Sequence, residues 1–180
     1  MTEAPVAQIV LMGVAGSGKS TIGAMLAERL GCEMAEADDF HSPANVAKMK
    51  AGIPLQDADR WPWLRDIAAW IAERDRSSLT AVVTCSALKR AYRDVLRAAS
   101  PRVAFVHLAG RPELIFDRMR HRAGHFMPTS LLDSQYAILE PLGPDERGIT
   151  VDVSRSIDEI VETVISVVAL ALVLVLGAIV

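Results

Sequence analysis

Gly13-Val14-Ala15-Gly16-Ser17-Gly18-Lys19-Ser20 fits the spacing G-x-x-x-x-G-K-[ST]. The apolar run Ile9-Val10-Leu11-Met12 precedes it. Thr21-Ile22-Gly23-Ala24-Met25-Leu26-Ala27-Glu28-Arg29-Leu30 follows, with apolar residues at helical spacing. Strand, glycine loop and helix in that order are the context in which this motif wraps a phosphate. The glycines let the backbone turn its N–H groups inward, and the helix N-terminus adds a favourable dipole. In this reading Gly13 to Ser20, with Thr21, bind a nucleotide's phosphates. Lys19 reaches the β and γ phosphates and Ser20 ligates Mg²⁺. A flexible Gly/Ser turn is the alternative, and the correct flanks on both sides argue against it.

Outward from the loop, strand-like and helix-like segments alternate. Residues 32–37 read as a second strand ending at Asp38-Asp39-Phe40-His41, and residues 81–84, 103–108 and 149–152 as three more. Helices are expected over 45–50, 64–74, 92–99, 111–120 and 129–139, with a further one at the C-terminus. Residues 55–63, dense in polar and aromatic groups, read as a loop. The alternation predicts an α/β fold, a three-layer sandwich around a five-stranded parallel sheet. Residues 1–168 form a single domain in this reading, with a small lid at about 118–128.

Composition narrows the function classes. The net charge of −3 gives no basic footprint for nucleic acid, so no nucleic-acid partner is expected. Two cysteines, Cys32 and Cys85, have neither metal-ligand spacing nor the density of a disulfide framework, which suits a reducing cytoplasmic location. The N-terminus carries no basic segment before its apolar stretch, unlike a secretory signal. After Glu162 no charge appears over 18 residues, just the length of a membrane span. Ile157, Ile160, Val161, Val164, Ile165 and Val168 form a helical stripe, and no Lys or Arg flanks the run as an anchor. The run is therefore read as a packed terminal helix followed by an apolar tail, 169–180, that is buried or self-associating rather than embedded in a membrane.

Several polar groups are candidates for chemistry. Asp38, at a strand end by the phosphate loop, is the choice for the carboxylate that receives or steers an acceptor's hydroxyl proton. Asp57, Asp59 and Arg60 suit a polyhydroxylated acid, the carboxylates accepting from hydroxyls and Arg60 pairing with the acid; a charged surface turn is the alternative. Lys89 and Arg93, four apart on an expected helix, share a face that can hold an anion. Arg118, Arg120 and Arg122 precede Gly124-His125, a pattern for mobile cations closing over transferring phosphate. Cys85 and His107 read as structural, His121 as solvent-facing, and one of Trp61 and Trp63 as a buried packing residue.

Together these residues resemble the gluconate kinases. The resemblance rests on Gly13 to Ser20, Ala37-Asp38-Asp39-Phe40-His41, Asn45 with Lys48-Met49, and Pro54-Leu55-Gln56-Asp57-Ala58-Asp59-Arg60. It continues through Pro62-Trp63-Leu64, Cys85-Ser86-Ala87-Leu88-Lys89, Tyr92-Arg93-Asp94, Gly124-His125-Phe126-Met127, Gln135 and Leu139-Glu140-Pro141, and covers roughly residues 8–168 in one order. It implies a fold similar to that of nucleoside monophosphate kinases, commonly as a homodimer. The implied reaction is ATP- and Mg²⁺-dependent phosphorylation of D-gluconate at its 6-hydroxyl. By the same resemblance Asp38 is the catalytic carboxylate, acting with Lys19 and the lid residue Arg122. His41, Asp57, Arg60, Lys89, Arg93, His125 and Gln135 line the sugar-acid pocket, and Arg118 stacks on adenine. Ser42 before Pro43 and Trp61 depart from the family's pattern, and the apolar tail lies outside it.

Two other readings have specific tests. A kinase for another hydroxy acid, such as shikimate, shares the phosphate loop and is disfavoured only through the resemblance. A GTP-binding switch of the usual kind needs Asn-Lys-x-Asp, and the only asparagine, Asn45, is followed by Val46.

Overall fold

The computed structural model of the chain describes residues 7–121 and 129–177. Strand β1 (Gln8–Met12) is buried along its whole length, as an unbroken apolar run at the centre of a parallel sheet must be. It pairs in parallel with β3 (Ala81–Thr84) on one side and β4 (Val103–Ala109) on the other, with Gln8 opposite both Ala81 and Val103. The edge strands β2 (Glu33–Glu36) and β5 (Gly148–Asp152) complete a five-stranded parallel sheet in the order β2-β3-β1-β4-β5. The α/β sandwich expected from the alternation is the one found.

Alternate residues of β1 face opposite layers. Ile9 and Leu11 join a core with Ile22 and Leu26 of α1 (Lys19–Leu30) and Ile160, Val161 and Val164 of α7 (Ile157–Gly177). Val10 and Met12 join a second core with Leu64, Ile67 and Ile71 of α3 (Asp57–Arg76) and Tyr92 and Leu96 of α4 (Arg90–Arg97). Removing one such side chain, as in Ile67→Ala, costs about 2–5 kcal/mol through lost transfer energy and the cavity left behind. Three further helices are α2 (Pro43–Lys50), α5 (Pro112–Arg120) and α6 (Thr129–Ile138). In α5, Pro112 takes the first helical position, where a missing N–H is harmless. Helix α7 continues without interruption across residue 168 to Gly177. Among the described residues, no helix is long and apolar enough to cross a membrane.

Helix starts differ from the sequence reading at α2, which begins at Pro43 rather than Asn45, and at α3 and α4. Helix α3 begins at Asp57, so residues 57–63 are helix rather than loop. The N–H of Gln56 donates to Asp59 Oδ2 at 2.9 Å, and two acids in the first turn complement the helix dipole. Pro62 sits inside the helix and leaves Ala58 without its usual donor, a loss that burial of Trp63, Leu64, Ile67 and Ile71 offsets. Helix α4 begins at Arg90 rather than Tyr92, with Lys89 outside it as an extended N-cap (φ −93°, ψ 148°).

Candidate active site

The loop between β1 and α1 lies at the carboxyl end of the central strand, where the order of an open parallel sheet reverses and ligands bind. Gly13 (φ 141°) and Gly16 (φ 78°) hold conformations that favour glycine. A Cβ on Gly13 would lie 2.7 Å from the Leu108 carbonyl oxygen, and one on Gly16 would lie 2.6 Å from Met119 Cγ. The loop is fastened from outside as well. Gly13 N–H donates to Ser86 O at 3.2 Å, and Ala15 N–H donates to Gln135 Oε1 at 2.7 Å. Lys19 Nζ donates to the Gly13 and Val14 carbonyls at 3.0 and 2.9 Å, which holds the ammonium over the loop. Ser20 and Thr21 stand exposed on the first turn of α1.

A cavity of about 890 Å³ opens from this loop. Residues 15–21 line it, together with Arg118, Met119, Val153 and Arg155 and with Glu36, Asp38, His41, Arg60 and Trp63. Lys19, Arg60, Arg118 and Arg155 make the lining cationic, with the carboxylates of Glu36 and Asp38 among them, a composition fit for a polyphosphate beside a hydroxylated acceptor.

Asp38 sits in the 3₁₀ turn Ala37–Phe40 that follows β2, and its side chain is 89% exposed. β3 separates β2 from β1, so Asp38 meets the phosphate loop across the end of β3 rather than as its strand neighbour. Asp39 is exposed and lies outside the cavity lining. His41 is buried (side chain 4% exposed), with its ring stacked on Trp63 at 4.5 Å and 11° and its Nε2 4.0 Å from Asp38 Oδ1. Desolvation lowers its pKa, against the opposing pull of Asp38. Glu36, which the sequence did not single out, bonds Thr84 Oγ1 and lines the same cavity.

Arg60 lines the cavity, whereas Asp57 and Lys89 do not. Lys89 Nζ donates to both Asp57 carboxylate oxygens at 3.0 Å. Tyr92 Oη donates to Asp57 Oδ1 at 2.5 Å and accepts from Arg60 Nη1 at 3.2 Å. The Tyr92 hydrogen bond, followed by that from Lys89, holds the Asp57 carboxyl below its usual range. Tyr92 therefore joins the three residues expected here, a role that sequence reading missed. Trp61 packs edge-on against it at 5.4 Å. Asp59 turns away from this cluster, to Lys48 Nζ at 2.7 Å.

Arg93 corrects the sequence reading. Its side chain is fully buried and pairs with Glu146 through Nε at 2.6 Å and Nη2 at 2.9 Å. Its remaining bonds go to the carbonyls of Ala87, Leu88, Glu140 and Pro141 at 3.1–3.2 Å. It presents no donor to the cavity. The shared helical face expected of Lys89 and Arg93 fails because Lys89 is the extended N-cap, outside the 3.6-residue repeat. Gln135 does line the cavity, but its amide oxygen is engaged by the phosphate loop. Arg118 Nη2 donates to Val153 O at 2.7 Å. Arg122 and His125, with most of the expected lid, lie outside the described residues. Cys85 is buried and its thiol is pushed up to about 12 by desolvation, so it stays protonated and packs. His107 is buried in β4 and His121 is exposed, as expected.

A parallel sheet with a glycine-rich phosphate loop at its switch point, opening on a mixed-charge acceptor cavity, defines a P-loop small-molecule kinase. A family model described as an AAA domain matches residues 9–142. The gluconokinase of Gluconobacter oxydans (strain 621H) is 47% identical over 157 residues, spanning 87% of this chain and 88% of that protein. A solved gluconokinase from Sinorhizobium meliloti 1021 superposes with a TM-score of 0.88 at 44% identity, covering 96% of this chain and 97% of that one. An unliganded sugar kinase from Janibacter sp. HTCC2649 does so at 0.86 and 52%, covering 90% and 94%. The chain belongs to the gluconokinase family.

Proposed function

We propose that this chain transfers the γ-phosphoryl group of ATP to the 6-hydroxyl of D-gluconate, giving 6-phosphogluconate and ADP. The observation that carries the reading is that Lys19, in the phosphate loop, and Asp38 open onto one cavity. Its substrate comes from the gluconokinase relatives.

In this mechanism the loop N–H groups hold the polyphosphate, and Lys19 exchanges its carbonyl contacts for phosphate oxygens. Asp38 takes the proton of the acceptor hydroxyl as its oxygen bonds to the γ-phosphorus and the bond to the β-phosphate oxygen breaks. Arg122 supplies charge to the transferring group, and Arg118 stacks on adenine. Arg60, backed by Tyr92, Asp57 and Lys89, faces the sugar acid, and the resemblance adds His41 and His125 as further contacts to it. Among the described residues no group of three or more His, Cys, Asp or Glu is set to hold a metal alone. Mg²⁺ would be shared with the nucleotide, with Ser20, exposed on the first turn of α1, giving one hard oxygen ligand. When bound, Mg²⁺ neutralises charge on the β and γ oxygens.

A coupled assay of ADP release with ATP and Mg²⁺, run with D-gluconate, shikimate or no acceptor, tests this. Release only with gluconate is expected. Release with shikimate overturns the acceptor assignment, and acceptor-independent turnover overturns the kinase reading.

A further inference from the structure

The 3₁₀ turn that carries Asp38 is only four residues long, and Asp38 itself is almost fully exposed, so little of its own packing fixes the carboxylate. What fixes it comes from a different element. Trp63, buried in the second turn of α3, donates its indole N–H to the Ala37 carbonyl at 2.6 Å, at the start of that turn. The same ring stacks on His41, the residue that closes the turn and whose N–H donates to the Asp38 carbonyl at 3.2 Å. His41 depends on this stack for its orientation. Its Nδ1 is buried without a hydrogen-bond partner among the described residues, and its Nε2 stands 4.0 Å from Asp38, beyond a hydrogen bond.

We propose that Trp63 is the positioning residue for Asp38, gripping its turn at both ends: the Ala37 carbonyl through the indole N–H and the His41 ring through the indole face. The proposal rests on the reading of Asp38 as the carboxylate that takes the acceptor's proton. A group that must meet a hydroxyl as it attacks loses rate steeply when displaced, about 100-fold for a shift of about 1 Å. The clamp also explains why a tryptophan stands here. Phenylalanine fills much of the same space and stacks on His41 but has no N–H for Ala37.

The test is a double-mutant cycle on the full-length chain with Trp63→Phe, Trp63→Leu and Asp38→Asn, measuring kcat, the KM for gluconate and the Kd for ATP. Trp63→Phe keeps the stack and is expected to lower kcat about 10-fold; Trp63→Leu loses both contacts and is expected to approach 100-fold. ATP affinity stays within about 2-fold of wild type in both, which also shows the variants folded. In the Asp38→Asn background, Trp63→Phe is expected to cost no more than about 2-fold further, because the group it positions is already disabled. The full 10-fold loss in that background, or wild-type kcat in Trp63→Phe, overturns the proposal. Wild-type kcat in Asp38→Asn alone overturns the reading of Asp38 instead. Should Trp63→Leu fail to fold, Trp63→Phe completes the cycle.

Discussion

Arg93 and Glu146 form a two-point ion pair with neither side chain exposed, Nε to Oε1 at 2.6 Å and Nη2 to Oε2 at 2.9 Å. The pair joins α4 to the segment before β5. Through four backbone carbonyls the guanidinium also fixes residues 87–88 and 140–141. One of those carbonyls belongs to Ala87, whose φ of 43° is strained for a residue with a Cβ. Breaking a buried pair by removing one partner leaves an uncompensated charge, at a cost of about 3–5 kcal/mol. Arg93→Met and Glu146→Gln are therefore each expected to destabilise the fold by about that amount, read from urea unfolding midpoints. A loss below about 1 kcal/mol, with gluconate KM raised instead, returns Arg93 to the substrate pocket.

The same interior sets a pH dependence. Burial lowers the pKa of His41 and of His107, the latter helped by the Arg93 charge. Each imidazole thus takes a proton less readily in the fold than once unfolded. The unfolded chain then binds more protons below about pH 6.5, so stability is fully present above that value and is lost as pH falls, by at most about 1.4 kcal/mol per pH unit for each group. Glu146 acts in the same direction lower down. Burial pushes its carboxyl up, but the hydrogen bonds from Arg93 and Gly143 and the charges of Arg93 and Arg90 outweigh this and hold it below its usual range. The thermal midpoint is expected to fall steadily from about pH 7 to pH 4, and the slope just below pH 6.5 is expected to flatten in His107→Asn. A midpoint rising on acidification contradicts this account.

How much of this was legible follows the distance over which each signal acts. The phosphate loop, the unbroken run Ile9 to Met12 and the Leu64, Ile67, Ile71 stripe are local patterns, and they gave the sheet and most helices correctly. The start of α3 is obscured because residues 55–63 are dense in polar and aromatic groups, and what holds them helical past Pro62 is tertiary burial. Arg93 was misread because its partner stands 53 residues on, in a segment without periodicity. The packing expected of one of Trp61 and Trp63 gives no hint of the bond Trp63 makes, because the carbonyl it holds lies 26 residues back. Tyr92 carried a usable signal: a hydroxyl three residues after a cationic N-cap faces back toward it.

Lys19 is held over the loop by the Gly13 and Val14 carbonyls, so its charge is in place before the nucleotide arrives. Lys19→Ala is expected to lower kcat by about 100- to 1,000-fold, the usual effect of losing one preorganised donor on developing charge. The thermal midpoint is expected to change little, since the ammonium is not in either apolar core. Steady-state assays with saturating gluconate check the first expectation and calorimetry the second. Turnover within about 3-fold of wild type removes the phosphate loop from the mechanism.

Gln135 separates two roles that the resemblance merged. Its amide oxygen accepts from the Ala15 N–H at 2.7 Å, so in this structure α6 reaches the phosphate loop directly. If that contact is what matters, a negative charge at the same spot should compete with phosphate for the loop. Gln135→Glu is therefore expected to weaken ATP binding about 10-fold, equivalent to about 1.4 kcal/mol, with gluconate KM nearly unchanged. Gln135→Ala, which frees the N–H without adding charge, is expected to change ATP affinity less than about 3-fold. Titration calorimetry with ATP, together with gluconate KM for the three proteins, distinguishes the outcomes. A rise in gluconate KM with ATP affinity intact places Gln135 against the sugar acid after all, and the bond to Ala15 is then a resting contact that the acceptor displaces.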